Sequence, residues 1–150
     1  MKRFDYNALI FPIVIGVVLY LINSNFLKFL FEFYPPSLEL TFGRGGWWLT
    51  QPAYIKIIYV GFIAPFIEEL VFRKFMLGRF IREKQFVFWL IVSSIVFGLW
   101  HIVIGWGILK AVDMFVVGII FGLVYRKYGF KGSLLSHFAN NWVALWFMIL

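Results

Sequence analysis

Five long apolar stretches make up most of this chain, and they decide what it can fold into. They run approximately over Tyr6–Phe33, Tyr54–Ile81, Phe86–Ile104, Leu109–Tyr125 and Ser133–Leu150. Hydrophobic residues fill 63% of the 150 positions, and mean hydropathy is +0.89. A soluble domain is roughly half apolar and could not turn this much surface inward, so the chain belongs to the integral membrane proteins. In lipid every backbone N–H and C=O must find its partner within the protein, which leaves helices and closed barrels. Barrel strands alternate apolar and polar residues; these runs are continuous, so helices are expected. The predicted fold is an all-α, polytopic transmembrane bundle of about five spans in a single membrane domain. Positions 1–53 would give an N-terminal span and outer loop, and positions 54–150 a four-helix catalytic core. A helix of 18 residues covers about 27 Å, just enough for a hydrocarbon core, so the last stretch has almost nothing to spare.

The charges set orientation rather than a nucleic-acid surface. The formal charge is +7, but the cations are dispersed at the ends of apolar runs, as topology signals and headgroup contacts are. Lys2 and Arg3 precede the first stretch; Arg79, Arg82 and Lys84 separate the second from the third; Arg126, Lys127 and Lys131 separate the fourth from the fifth. These alternate segments fall on one side, with Arg44, Lys56 and Lys110 at the other, so the N-terminus is expected inside and the C-terminus outside. Met1-Lys2-Arg3 before an apolar run looks like a signal peptide, but no clear small-residue cleavage site follows, and a retained first span is expected. Pro35-Pro36 and Gly43–Gly46 mark a turn-rich outer connection. Trp47, Trp48, Trp106 and Trp146 would form an outer aromatic belt. With no cysteine there is no disulfide framework and no thiolate for catalysis or metal binding.

Two adjacent glutamates, Glu68 and Glu69, interrupt the second stretch, and Arg73 follows one turn later. Charged groups at the centre of a membrane helix cost roughly +2.5 to +3.5 kcal/mol each on insertion scales, so a pair of them is a functional-site hypothesis by default. Glu69 and Arg73 share a helix face, where pairing lowers the cost of burying either. Glu68 points about 100° away, free to face a reaction cavity. On the third stretch Phe97 and His101 share a face, and on the fifth His137 and Asn141 do, because side chains four apart stack on a helix. A carboxylate in an apolar, partly dry site is a stronger base than one in water. A carboxylate, two imidazoles and an amide could therefore hydrolyse a peptide bond. Glu68 would activate water, His101 would hold it, and His137 with the Asn141 amide would donate to the oxyanion.

Glu68-Glu-Leu-Val-Phe-Arg73 reads EExxxR, Phe97 to His101 reads FxxxH, and His137 to Asn141 reads HxxxN. This ordered trio on separate spans resembles the CPBP intramembrane proteases, which include type II CAAX prenyl endopeptidases and bacteriocin-processing or self-immunity proteins. Flanking Ala64-Pro65, Ser93-Ser94 and Gly132-Ser133 agree, and the resemblance covers roughly residues 60 to 145. It implies an intramembrane glutamate-type endopeptidase needing no cofactor or metal. Glu68 would be the catalytic carboxylate, His101 its partner on the water, His137 and Asn141 the oxyanion site, and Arg73 the brace of Glu69. The implied partner is a membrane-associated protein tail or peptide; so compact a bundle suits a prokaryotic plasma membrane, and the dispersed cations argue against nucleic acid. The chain departs at Lys74, where relatives commonly have glycine. It is short for the family and ends nine residues after Asn141, so the elements that grip substrate are expected to be reduced.

Other readings compete. A non-enzymatic self-immunity protein could carry the same groups as a structural charge network, and a proton or ion relay could use them as well. Carboxylates and imidazoles bind zinc, so Glu68, Glu69, His101 and His137 could form a metal site, although no HExxH is present. Serine dyads from Ser94 and His101, or Ser133 and His137, are disfavoured because serines in membrane helices bond the preceding turn. Asp113 pairs with Lys110, and Asn140 reads as a second interhelical amide or a lipid-interface residue. One tension is built in. Along straight parallel helices, His101 and His137 would differ in depth by on the order of 10 Å, which tilt or a dipping Gly129–Gly132 loop must close.

Overall fold

The computed structural model describes residues 6–33 and 50–149, and among them every element is helical. Helix α1 is Asn7–Phe33. Residues 53–80 form one continuous helical path, α2, whose gauge changes along its length. It is α-helical over Ala53–Ile58, π-helical over Tyr59–Ile63, α-helical over Ala64–Glu68, π-helical over Glu69–Leu77 and 3₁₀ over Gly78–Phe80. Helix α3 is Phe86–Val103. The final stretch, Ile108–Ile149, is broken at Gly129 (φ 71°, ψ −170°) into α4 (108–128) and α5 (130–149). A side chain at that φ would be strained, and only glycine turns the chain there at little cost. The predicted Pro35-Pro36 and Gly43–Gly46 connection, Trp47, Trp48, Arg44, Lys2, Arg3 and Leu150 lie outside the described residues.

Among the described residues three helical segments are long and apolar enough to cross a membrane: Asn7–Phe29, Phe86–Val103 and Ile108–Ile149. Residues 53–80 do not join them, for a physical reason. Their charged residues lower the hydropathy, and their π turns, which are frequent at functional sites, split them into short regular pieces.

The distribution of polarity is the reverse of that in a soluble domain. Glu68, Glu69, Arg73, His101, Asp113, His137 and Asn140 are buried, whereas Ile10, Phe66, Phe75, Phe88, Val103 and Trp146 lie on the outside. Charged residues are almost never fully buried in soluble proteins unless paired. A lipid-facing exterior accounts for both halves of the pattern. Inside, Leu19, Phe72, Phe97, Met114, Val117 and Phe121 form one apolar cluster that ties α1, α2, α3 and α4 together. Leu77, Phe86 and Leu90 form a second where α2 meets α3. Helices α1 and α3 both pack chiefly against the 108–149 stretch.

Candidate active site

The second π turn of α2 carries Glu69 and Arg73 to the centre of the bundle, both fully buried. Arg73 Nε lies 3.7 Å from Glu69 Oε1. Its Nη2 donates to the Gly118 carbonyl of α4 at 3.3 Å, and its guanidinium lies 4.4 Å above the Phe97 ring. Glu69 has two further partners on α5. His137 Nδ1 stands 3.0 Å from Oε1, and the Ser133 hydroxyl donates to Oε2. The Phe121 carbonyl lies on the other side of that hydroxyl, at 3.2 Å. This carboxylate therefore holds α2 and α5 together through an imidazole and a hydroxyl, while the arginine beside it ties α2 to α4.

Glu68 faces elsewhere. Its carboxylate lines a cavity of about 510 Å³, together with His101, His137, Asn140 and Asn141. The nearest imidazole nitrogen, His137 Nε2, is 3.5 Å from Glu68 Oε2. His101 Nδ1 lies 2.8 Å from the Phe97 carbonyl. Nδ1–H is therefore the donor, and the Nε2 lone pair is left as an acceptor. His137 uses Nδ1 on Glu69 and turns Nε2 toward Glu68. The Asn141 amide donates to the Val60 carbonyl at 2.9 Å. Val60 lies in the π turn Tyr59–Ile63, where the regular i→i−4 ladder is opened and a carbonyl can be spared for a side chain. A second N–H of Asn141 remains.

Both histidines pack against one ring. Phe97 sits edge-on to both imidazoles, with centroids 4.9 Å from His101 and 6.1 Å from His137. Phe121 packs on the other side of His137 at 4.6 Å. All six residues singled out in the sequence thus belong to one neighbourhood: Glu68, His101, His137 and Asn141 on the cavity, Glu69 and Arg73 sealed behind it.

A type II CAAX prenyl endopeptidase Rce1-like family model matches residues 50–143. The chain belongs to this family. Neither a curated protein nor a solved structure matches it. The family is one of proteases, and the matched segment begins just before α2 and takes in every residue of the cluster described above.

Other residues named in the sequence, and two from α1 that were not, take their places around this Rce1-like core. Asn140, expected between helices or at the lipid interface, is buried, lines the cavity and donates to Asn141 Oδ1 at 3.3 Å. Trp106, expected in an outer belt, also lines the cavity. The α1 residues Tyr20 and Asn23 line it too and were not anticipated. Lys110 does pair with Asp113, at 2.7 Å. Ser94 donates to the Leu90 carbonyl at 2.7 Å and Ser133 to Glu69, so neither hydroxyl is aimed at a histidine. Among the described residues no three histidine, aspartate or glutamate side chains gather as metal ligands would. His137 directs both ring nitrogens at glutamates, Nε2 at Glu68 and Nδ1 at Glu69.

Proposed function

We propose that this protein is an intramembrane glutamate-type endopeptidase that hydrolyses a peptide bond in a membrane-associated tail, with a prenylated C-terminal tail as the substrate class suggested by the family's name. One observation carries the reading. Glu68 and His101 line the same cavity as the His137–Asn141 face, while Glu69, one residue on, is locked into the bundle behind it. Water in the cavity gives a proton to Glu68 as its oxygen attacks the scissile carbonyl carbon. His101 Nε2 accepts the water's other O–H and fixes its direction. The developing oxyanion takes N–H donors from His137, held in place by Glu69 on Nδ1, and from the remaining Asn141 N–H. Glu68 then returns its proton to the leaving nitrogen as the C–N bond breaks. No covalent intermediate forms. Purified protein in detergent, given a fluorogenic peptide ending in a prenylated cysteine and three further residues, should cleave it. Glu68→Gln and His101→Ala should each lose activity by about 10²-fold or more. Cleavage at the wild-type rate in either variant removes this assignment.

The same proposal has five membrane crossings: α1, α2, α3, α4 and α5, with the N-terminus inside, α1 as an accessory span and the catalytic core from α2 onward. Direction supports it. Pro12 of α1 lies beside Gly132 of α5, and Gly16 beside Ser136 and Ala139, so the first and last rods run the same way, as that order requires. The chain has no cysteine. A single Glu83→Cys probe between α2 and α3 should therefore react with a membrane-impermeant maleimide only from the inner face. Labelling of intact cells from outside would reverse the orientation.

A further inference from the structure

Helix α1 carries one buried stripe, formed by Pro12, Gly16, Leu19 and Asn23. Their spacing of four, three and four puts them on a single helix face, which at Pro12 and Gly16 lies on α5. A Cβ at Gly16 would collide with the Ser136 carbonyl oxygen and come within 2.9 Å of Ala139 Cβ. Only glycine allows the two backbones to approach so closely. Because α1 and α5 advance in the same direction, the two turns from Gly16 to Asn23 carry that side chain up to the cavity. There Asn23 forms part of the wall on which Glu68, His101 and His137 also lie.

Asn23 is 7% exposed, and its side-chain Nδ2 has no hydrogen-bond partner among the described residues. Its neighbours differ. Ser24 and Asn25 both donate to the Leu21 carbonyl, at 3.1 and 2.7 Å. An unmet buried donor costs about 1–3 kcal/mol; Nδ2 is closed to solvent as it stands, and a turn of the terminal amide of this wall residue would offer it to an acceptor in the cavity. An acyl chain offers none. An extended peptide offers a carbonyl every residue, about 3.4 Å apart, and the terminal amide torsion of asparagine is soft enough to turn its N–H₂ toward one.

We propose that Asn23 is a substrate-positioning residue whose side-chain amide donates to a backbone carbonyl of the peptide held in the cavity. The inference rests on the peptidase reading, and it adds a contact from α1, which lies outside the family-matched segment. The test uses the full chain and the same prenylated fluorogenic peptide, with Asn23→Leu as the near-isosteric variant that lacks the donor. KM should rise three- to tenfold, with kcat within about threefold of wild type. The melting temperature in detergent should hold or rise, because an unmet donor has been removed. An unchanged KM overturns the proposal, as does a lowered melting temperature with both kinetic constants impaired, which would make Asn23 a packing residue. Fluorescence anisotropy of the same peptide with Glu68→Gln protein separates the two claims. Weaker binding on adding Asn23→Leu, in a protein whose Glu68 variants still cleave normally, would leave the positioning role standing and discard the glutamate mechanism. Loss of cleavage in Glu68→Gln, with KM and binding indifferent to Asn23, would do the reverse.

Discussion

Glu69 touches Arg73, His137 and Ser133 and no part of the cavity, whereas Glu68, one residue earlier, lines the cavity and meets His137 at 3.5 Å. Both carboxylates are buried among apolar helices, so burial alone does not separate their roles. The separation comes from what each one touches. Glu69 has an arginine, an imidazole and a hydroxyl, enough to offset the desolvation of a single carboxylate, and nothing is left over to react. Glu68 has a looser contact with an imidazole that Glu69 already holds in place. The sealed carboxylate holds the histidine, and the open one is left facing the cavity. His137, reaching both glutamates, is the hinge between a structural cluster and a reactive surface.

The largest effect expected from this division is on turnover. Glu68→Gln should reduce kcat by about 10²- to 10⁴-fold, the usual contribution of a positioned general base. It should leave the melting temperature close to wild type, because the cavity wall keeps its shape. A large drop in melting temperature would mean that Glu68 also holds the bundle. The next effect belongs to the sealed side. Arg73→Met leaves Glu69 buried without its cation, a type of change that costs about 3–5 kcal/mol, measured as loss of stability in detergent unfolding. Adding Glu69→Gln to Arg73→Met should recover much of that loss, since no uncompensated charge remains. If the single Arg73 variant folds as well as wild type, the two glutamates are not divided as described.

Much of this arrangement was legible because the expensive residues are few. The spacing of Glu69 and Arg73, the 100° offset of Glu68, and the shared faces of Phe97 with His101 and His137 with Asn141 follow from helix geometry alone. Their agreement with the structure is agreement about direction. What was not legible has a common cause. In lipid both faces of a helix are apolar, so hydrophobic periodicity no longer marks the buried side, and the stripe Pro12–Gly16–Leu19–Asn23 carried no contrast with its surroundings. The signal available was the small or polar residues themselves: a glycine and an asparagine seven apart on one face. The π turns of α2 were equally invisible, because nothing in the residue types at Tyr59–Ile63 distinguishes them from an ordinary helix. Those turns widen the path that carries Val60 to Asn141 and Glu69 to His137. The Phe97 ring, which brings the two histidines together, was read as one end of a motif rather than as the surface on which both imidazoles rest.

Smaller effects sharpen the boundary between the two sides. Asn141→Ala should lower kcat by about 10²- to 10³-fold, the scale of losing one oxyanion donor, and raise KM little. Because Asn141 also donates to the Val60 carbonyl, some loss of stability accompanies it. A variant that loses stability but keeps kcat would move Asn141 to the structural side.

Ser133→Ala should have the smallest consequence. The hydroxyl is fully buried between Glu69 and the Phe121 carbonyl, so its removal leaves Glu69 with Arg73 and His137 as partners. The expected cost is about 1–3 kcal/mol of stability, that of a buried acceptor losing one donor, with peptide cleavage reduced only a few-fold. The measurement weighs more than its size suggests. A seryl hydrolase built on Ser133 and His137 would lose essentially all activity with the same substitution, while its folding was barely touched. Retained cleavage in Ser133→Ala therefore assigns attack to water activated elsewhere on the cavity wall. Complete loss in a well-folded variant would transfer the nucleophile to the sealed side and erase the distinction between the two carboxylates.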